Sequence, residues 1–249
     1  MSISNGHTIN VMFTTLQKGM NLAGLQAAVN CLPTEEQAVY FGKARLLNRL
    51  QFLAGRLLIR QLYCALHPED ACVIKAAPSG KPFLPAQPQW GASITHSGGI
   101  VACALNTRGA VGIDAEVIRP VELSVFEPYF LPREWEYIRQ HSGPESAFFN
   151  LWTRKEAVAK ADGRGLGMDF LSIDTLEDII RPGAQTWACV PLTLSACLEG
   201  GYAATLAYAS DKHHAAIQIM EITLSELLSS FSTLVRPPNK RSNPNSIAL

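Results

Sequence analysis

The sequence predicts an α+β fold made of two similar α/β halves, related by a pseudo-twofold axis, with a ligand site in the cleft between them. Apolar residues recur at helical spacing over residues 32–66, and short apolar runs separated by glycine and polar turns follow over 92–116. The same order of helices and then strands returns after residue 125. Layers of this kind bury a core, and the joints between them commonly bind ligands.

The first half, residues 1–117, is expected to begin with helices. Thr34 can cap a helix start because Gln37 follows three residues later. Leucines at helical spacing then predict one long helix or two over 32–66. Four arginines on one stripe indicate a solvated helix face, with a phosphate-facing stripe as the alternative. They are Arg45, Arg49, Arg56 and Arg60.

Strands complete the first half. Prolines and glycines over 77–90 indicate a loop. Residues 92–116 are interpreted as an antiparallel meander of three strands, because apolar runs alternate there with turn residues.

The second half, residues 118–234, is predicted to repeat that order. Its expected elements are helices over 130–138 and 144–167, the latter ended by glycines, and strands within 186–210 and 215–224. The proline-rich tail over 235–249 has no periodicity and is expected to be disordered.

Bulk composition excludes several classes of partner. The chain carries 21 basic and 21 acidic side chains, so no global field attracts nucleic acid. Six cysteines without CxxC spacing indicate reduced thiols in a cytoplasmic protein. The start of the chain lacks the pattern of a secretory signal, and no apolar run approaches membrane-spanning length. We therefore expect a monomer that acts neither on nucleic acid nor in a membrane.

Two carboxylates, Asp114 and Glu116, stand one residue apart in the predicted strand "VGIDAE", residues 111–116. Side chains alternate faces along a strand, so these two share a face opposite Ile113 and Ala115. Like charges this close raise each other's pKa unless a cation lies between them, and oxygen ligands suit a hard divalent ion. An edge strand with a solvated polar face is the alternative reading.

A third carboxylate follows on a predicted helix. Trp152, Glu156 and Lys160 are spaced by four residues and share one helix stripe. Lys155 projects about 100° away from Glu156. An ordinary Glu–Lys helix pair beside a buried tryptophan is the alternative. Together, three acids and a lysine supply oxygen ligands for magnesium and a phosphate contact, which are the parts that phosphoryl transfer requires.

These motifs resemble a known family. "VGIDAE", followed forty residues later by "WTRKEAVAK", is similar to the paired signature of the Sfp-type 4′-phosphopantetheinyl transferases. Smaller blocks agree in order: "AGRLLIR" (54–60), "SGKP" (79–82), "SITHS" (93–97), "FLPREWEYI" (130–138) and "KADGRGLG" (160–167). The resemblance spans about residues 39–210, and the paired signature is its specific part.

The resemblance implies transfer of the phosphopantetheine arm of coenzyme A to a serine of an acyl or peptidyl carrier protein, leaving adenosine 3′,5′-bisphosphate. It implies magnesium held by Asp114, Glu116 and Glu156. Glu156, or a water it orients, would be the base for the serine hydroxyl. Lys160 would contact the pyrophosphate as a point charge. The carrier, whether of fatty acid, polyketide or non-ribosomal peptide synthesis, stays open.

The resemblance also implies residues that hold coenzyme A. They are Lys43, Lys81, Thr95, His96, Lys155 and Lys160. His96 and Lys81 correspond to family positions at the 3′-phosphate. Ser93 and Thr95 stand where the family often has asparagine and serine; Thr95 keeps a hydroxyl donor, whereas the shorter Ser93 is expected to lose a structural hydrogen bond.

Two other functions fit part of this pattern. A magnesium-dependent phosphodiesterase also uses two acids and a lysine, but usually with acid and lysine on one strand. A non-catalytic protein that binds coenzyme A or the carrier is the third hypothesis, and the intact set of Asp114, Glu116, Glu156 and Lys160 argues against it.

Overall fold

A computed structural model describes residues 7–194, 201–209 and 215–232 of the 249-residue chain. The tail over 235–249, predicted to be disordered, lies outside these residues. Within the described ranges, no helix combines the length and apolarity needed to cross a membrane.

Helices and strands alternate along the chain. The strands are β1 (Thr8–Thr15), β2 (Lys75–Ala76), β3 (Pro82–Phe83), β4 (Gly91–Ser97), β5 (Ile100–Asn106), β6 (Val111–Val117), β7 (Ile179–Ile180), β8 (Trp187–Pro191), β9 (Tyr202–Ala209) and β10 (Ala216–Glu221). The helices are α1 (Leu25–Asn30), α2 (Thr34–Gly42), α3 (Leu46–Leu66), α4 (Pro132–Gln140), α5 (Pro144–Asp162) and α6 (Leu224–Ser232). Short 3-10 helices lie at Leu123–Tyr129, Gly165–Gly167 and Phe170–Ser172.

The first sheet has the strand order β10-β1-β5-β4, and β2 and β3 form a small separate pair. β10 runs parallel to β1, whereas the other pairs of the first sheet are antiparallel. Leu53 and Leu57 of α3 share one hydrophobic core with Val101 and Cys103 of β5. Leu228 of α6 lies in the same core. Helices therefore cover one face of this sheet.

The second sheet has the order β6-β9-β8-β7, and all its pairs are antiparallel. Helix α5 covers it, since Ala157 and Val158 share a core with Trp187, Cys189 and Ala207. Between the two sheets lies another core, to which β1 and β5 contribute from one side and β6 and β9 from the other. The layers thus run helix, sheet, sheet, helix.

The two sheets repeat one pattern of connections. In each, a strand that is followed by helices (β1 or β6) pairs with the second strand of a later antiparallel pair, which gives the orders β1-β5-β4 and β6-β9-β8. β10 adds to the first sheet on the other side of β1. The expected mixed fold with two similar α/β halves is confirmed. The pseudo-twofold axis remains a prediction.

Two elements depart from the expected division of the chain. β6 pairs with β9 and not with β5, because both edges of β5 are occupied by β1 and β4. The predicted three-stranded meander is therefore wrong beyond its first hairpin. β10 and α6, although late in the sequence, join the first sheet and its core. β6, which precedes residue 117, thus belongs to the second sheet, and β10, which follows it, belongs to the first. The domain boundary at residue 117 stays a prediction.

The arginine stripe has a structural role. Arg60, only 6 % exposed, bonds to Glu36 of α2 at 2.8 Å, and Arg56 lies 3.6 Å from the same carboxylate. Arg49 donates to the carbonyl of Lys43. These side chains fasten α2 to α3, so the predicted solvated face is wrong for Arg56 and Arg60, whereas Arg45 is exposed as predicted.

The predicted helix start is also corrected. Helix α2 begins at Thr34 with Pro33 in the N-cap position, and no side chain caps it. Gln37 reaches back instead, and its side-chain amide donates to the carbonyl of Leu32.

Candidate active site

The edge strands of the two sheets, β4 and β6, meet through side-chain hydroxyls. Every second residue of β4 carries a hydroxyl that accepts a hydrogen bond from a backbone N–H of β6. The bonds join Ile113 to Ser93 (3.1 Å), Ala115 to Thr95 (3.2 Å) and Val117 to Ser97 (3.2 Å). We call these three hydroxyl residues the hydroxyl seam. Ser93 therefore makes a structural hydrogen bond, and the expected loss of a bond relative to asparagine stays a prediction.

The hydroxyl seam also holds the carboxylates of β6. Thr95 donates to Oδ1 of Asp114 at 3.1 Å, and Ser97 donates to Oε2 of Glu116 at 2.6 Å. Asp114 is 2 % exposed, whereas Glu116 is half-buried. The neighbouring Ile113 faces the core between the sheets, so the two carboxylates share the opposite face, as the alternation of strand side chains predicts.

Helix α5 crosses β6 at Gly112. A Cβ at this position would lie 2.0 Å from the carbonyl oxygen of Ala157 and 2.5 Å from the backbone nitrogen of Ala161. Only glycine permits the strand and helix backbones to approach this closely. Glu156 and Lys160 lie on this part of α5, and the ammonium of Lys160 is 2.6 Å from Oδ1 of Asp114.

The three acids share one electrostatic environment. Burial raises the pKa of Glu156, Asp114 and Glu116 raise it further, and Lys160 opposes the change. The pKa of Glu116 is also raised, first by burial and then by Asp114, while the hydrogen bond from Ser97 and the charge of Lys160 lower it. The structure thus brings the predicted metal ligands from β6 and α5 close enough to repel one another.

The fit of these residues to a metal ion depends on their grouping and on their free oxygens. Among the described residues, no three acidic, histidine or cysteine side chains are grouped tightly enough to hold an ion as they stand. Lys160 occupies Oδ1 of Asp114, while Oδ2 of Asp114 is buried and has no hydrogen-bond partner in the described structure. An unpartnered carboxylate oxygen among acids of raised pKa fits a hard cation bound through oxygen.

Predicted nucleotide contacts gather beside the acids. A cavity of about 180 Å³ is lined by residues 79–82 of the "SGKP" segment and by Lys160. Burial lowers the pKa of Lys81 to about 8, although the charge of Asp162 opposes this. The pKa of His96, an exposed residue, is lowered as well, first by partial desolvation of the ring and then by the charges of Lys160 and Lys43. Of the predicted contact residues, Lys81 and Lys160 therefore line this cavity, and Lys43 and Lys160 lie close enough to His96 to affect its pKa.

Thr95, a predicted coenzyme A contact, uses its hydroxyl for hydrogen bonds within the protein. The hydroxyl of Thr95 is committed to the hydroxyl seam and to Asp114, and the residue is 4 % exposed. Its direct contact with coenzyme A stays a prediction.

Lys155 requires a correction. It is fully buried, its ammonium forms an ion pair with Glu134 at 2.8 Å, and it donates to the carbonyls of Phe170 and Ile173 at 2.8 and 2.5 Å. Its three donors are used inside the protein. The predicted contact of Lys155 with coenzyme A is therefore wrong, and the residue fastens segment 170–173 to α5.

Sequence reasoning missed two features of the site. Ser97 bonds to Glu116, and the alternation of hydroxyl residues at 93, 95 and 97 could have indicated it. The second feature is an apolar cavity of about 340 Å³ beside Trp152, one helical turn before Glu156. It is lined by Phe126, Pro128, Tyr129, Trp152, Met168, Asp169, Phe170 and Leu171. Its walls come from distant segments, so no local pattern marks it.

Comparison with known proteins gives a consistent result. The family model of the 4′-phosphopantetheinyl transferase N-terminal domain matches residues 35–106, and that of the 4′-phosphopantetheinyl transferase superfamily matches residues 110–213. The two matches meet between β5 and β6, where the chain passes from the first sheet to the second.

Individual relatives carry the same description. The 4′-phosphopantetheinyl transferase psf-1 of Bacillus pumilus is 28% identical over 198 residues, covering 76% of this chain and 83% of the relative. The transferase Sfp of Bacillus subtilis strain 168 is 28% identical over 149 residues, covering 58% and 65%. The transferase AcpT of Salmonella typhi is 36% identical over 134 residues, covering 51% and 66%. The aligned part thus spans about two thirds of the last two relatives.

Proposed function

Because this chain belongs to the 4′-phosphopantetheinyl transferase superfamily, we propose that it transfers the 4′-phosphopantetheine moiety of coenzyme A to a serine of an acyl or peptidyl carrier protein. The products are the holo carrier and adenosine 3′,5′-bisphosphate. The observation that carries this proposal is the meeting of Asp114, Glu116, Glu156 and Lys160 where α5 crosses β6.

Asp114, Glu116 and Glu156 are proposed as the ligands of a magnesium ion. When bound, this ion would neutralise the charge that develops on the pyrophosphate as the bond to the leaving phosphate breaks. The unpartnered Oδ2 of Asp114 and the raised pKa values of Glu116 and Glu156 support this assignment.

Lys160 is proposed to bind the pyrophosphate. Its ammonium lines the cavity of residues 79–82 and also touches Asp114. It therefore stands between the carboxylates and the opening through which a phosphate group would enter. A cation at this point attracts the pyrophosphate and compensates the acids while the site is empty of substrate.

Glu156, directly or through a water, is proposed as the base for the carrier serine. Burial and the two neighbouring acids raise its pKa, which makes its carboxylate a stronger proton acceptor than an exposed glutamate. Removing the proton as the serine oxygen attacks phosphorus prevents a positive charge from forming on that oxygen. A bound metal weakens this base, which favours the version with an intervening water.

Coenzyme A would extend to both sides of this centre. Lys81 lines the 180 Å³ cavity, and Lys81, His96 and Lys43 are proposed to bind the 3′-phosphate. The apolar cavity beside Trp152 has the volume and lining suited to the pantetheine arm. This arrangement leaves Glu156 between the nucleotide and the arm, at the bond that is transferred.

The two alternative functions are less well supported. A phosphodiesterase acting on nucleic acid would need a basic surface, and the chain has a formal net charge of zero. A non-catalytic relative would not need the acids and Lys160 held together, and the proteins it resembles are named as transferases.

The test is direct transfer. The protein is incubated with coenzyme A, magnesium and a panel of apo carriers, and each carrier is weighed by mass spectrometry. We expect one added phosphopantetheine on at least one carrier, abolished by EDTA and restored by magnesium. Glu156→Gln should bind coenzyme A yet add the group at least about 10²-fold more slowly. Failure of every carrier to gain the group, with folded protein and metal present, would contradict the proposal.

A further inference from the structure

The hydroxyl seam carries two kinds of hydrogen bond. A hydroxyl has one donor and can accept at two lone pairs. Ser93, Thr95 and Ser97 each use the acceptor side for a backbone N–H of β6. Thr95 and Ser97 also use the donor side, for Asp114 and Glu116 respectively.

The register of the two strands explains this difference. Each hydroxyl accepts from the residue twenty positions later and lies beside the side chain nineteen positions later. For Thr95 and Ser97 that neighbour is an acid. For Ser93 it is Gly112, which has no side chain. Ser93 therefore holds no carboxylate, which makes it an internal control for metal binding, while its residue also lines the 180 Å³ cavity beside Lys160.

Ser97 is the member of the hydroxyl seam whose second role can be isolated. Asp114 is held by Thr95 and also by Lys160 at 2.6 Å. Within the described residues, Ser97 is the one hydrogen-bond partner of the Glu116 carboxylate, at 2.6 Å. This length is typical of a strong bond from a hydroxyl to a carboxylate. Glu116 is half-buried, so its remaining surface faces the site and not the core.

We propose that Ser97 is a positioning residue that presents Glu116 to the metal ion, an inference that rests on the proposed function. A glutamate has several rotatable bonds, and ordering it when an ion binds costs conformational entropy. Ser97 fixes the carboxylate before the ion arrives, so part of that cost is already met during folding. Partners of this kind behind a metal ligand typically change metal affinity 10- to 100-fold.

The test compares Ser97→Ala with Ser93→Ala. Both variants lose one bond of the hydroxyl seam, but only Ser97→Ala releases a carboxylate. We expect Ser97→Ala to raise the magnesium concentration for half-maximal transfer on the order of 10-fold or more, with kcat recovered at saturating magnesium. Ser93→Ala should keep its magnesium requirement within about twofold of wild type at saturating coenzyme A, whatever its KM for coenzyme A, because Ser93 lines the 180 Å³ cavity but holds no carboxylate. Ser97→Thr, which keeps the hydroxyl at a half-buried position, should restore the wild-type requirement.

A second readout does not depend on turnover. Binding of Mn²⁺ to the full chain with coenzyme A, but without carrier, is followed by the loss of the free-ion electron paramagnetic resonance signal. Ser97→Ala should weaken Mn²⁺ binding by the same factor as the magnesium requirement. Should Ser97→Ala fail to fold, Ser97→Cys keeps the size but donates weakly, and it should also weaken binding.

The outcomes separate the two proposals. Equal Mn²⁺ affinities for wild type, Ser97→Ala and Ser93→Ala would overturn the positioning role, even if transfer occurs. A similar loss of affinity in both alanine variants would also overturn it, because the effect would then come from the joining of the strands. Absence of transfer by wild type would overturn the proposed function, while the Mn²⁺ comparison would still decide the role of Ser97.

Discussion

The ammonium of Lys160 lies 2.6 Å from Oδ1 of Asp114, so that a cation of helix α5 is paired with an acid of strand β6. This carboxylate is buried, and Lys160 compensates its charge. A metal ion ligated by Asp114 would have to share the acid with Lys160 or displace it. Lys160 is thus expected to compensate the charge of Asp114 without substrate and to bind the pyrophosphate when coenzyme A is present.

Lys160→Met should therefore separate metal binding from catalysis. Without the competing ammonium, we expect Mg²⁺ or Mn²⁺ to bind as tightly as in wild type or more tightly. Transfer should nevertheless fall on the order of 10²- to 10³-fold, as when a group that stabilises transition-state charge is removed. Calorimetric titration gives the first quantity and carrier mass spectrometry the second. Loss of metal binding with normal transfer would contradict the assignment of Lys160.

Glu156→Gln tests the proposed base. Glutamine keeps the size of the side chain but cannot take a proton and is a poorer metal ligand. We expect kcat to fall by at least about 10²-fold, the usual contribution of a positioned base, while the Kd of coenzyme A measured without metal changes little. Glu136→Gln, at an exposed position of α4, is the matched control and should leave kcat unchanged. A near-normal rate in Glu156→Gln would show that Glu156 is not the base.

Some of the site follows from sequence because it depends on local periodicity. A strand has a period of two whatever its partners, so Asp114 and Glu116 had to share a face. Local periodicity does not determine which strand pairs with β6. The turn before β6 suggests a hairpin with β5, but β1 and β4 already flank β5, and this is decided by pairing between distant segments.

The two lysines of α5 show the same limit. Helical spacing indicates that Lys155 and Lys160 point in different directions, but not which of them faces inward. Charge favours the surface for both. Lys155 is buried because Glu134 of another helix supplies its counter-charge, and no local pattern encodes that encounter.

The pH dependence of coenzyme A capture should report on Lys81. Burial lowers its pKa to about 8 in the free protein. The cationic form is complete well below that value and is lost as pH rises through it, whereas a phosphate monoester is a dianion throughout this range. We expect kcat/KM for coenzyme A to decline above about pH 8.

Lys81→Arg provides the comparison, because arginine stays charged at these pH values. The decline above pH 8 should disappear in this variant, even if the absolute value of kcat/KM is lower. The same decline in wild type and Lys81→Arg would assign it to another group.

Lys155→Met should act on stability and not on coenzyme A binding. Removing the ammonium leaves Glu134 as an uncompensated charge in the interior, which typically costs about 3–5 kcal/mol of unfolding free energy. Denaturant titration measures this loss. At a temperature where the variant is folded, the KM for coenzyme A should be close to that of wild type. A stable variant with a much higher KM would indicate that Lys155 does contact coenzyme A, contrary to the structure.

Gly112→Ala tests whether the site depends on the close crossing of β6 and α5. The added methyl group would meet the backbone of Ala157 at 2.0 Å and that of Ala161 at 2.5 Å, and backbone atoms cannot rotate away as a side chain can. The helix must move outward, which separates Glu156 and Lys160 from Asp114. Such overpacking typically costs about 1–3 kcal/mol or more, and a shift of about 1 Å in a catalytic group can reduce the rate about 10²-fold.

Gly42→Ala is the matched control, because an added Cβ there has no heavy atom within 4 Å. We therefore expect Gly112→Ala to lower both the unfolding midpoint in denaturant and the transfer rate at saturating magnesium, and Gly42→Ala to change neither by a comparable amount. Normal transfer by Gly112→Ala would mean that the acids and Lys160 can work at a greater separation than the one found here.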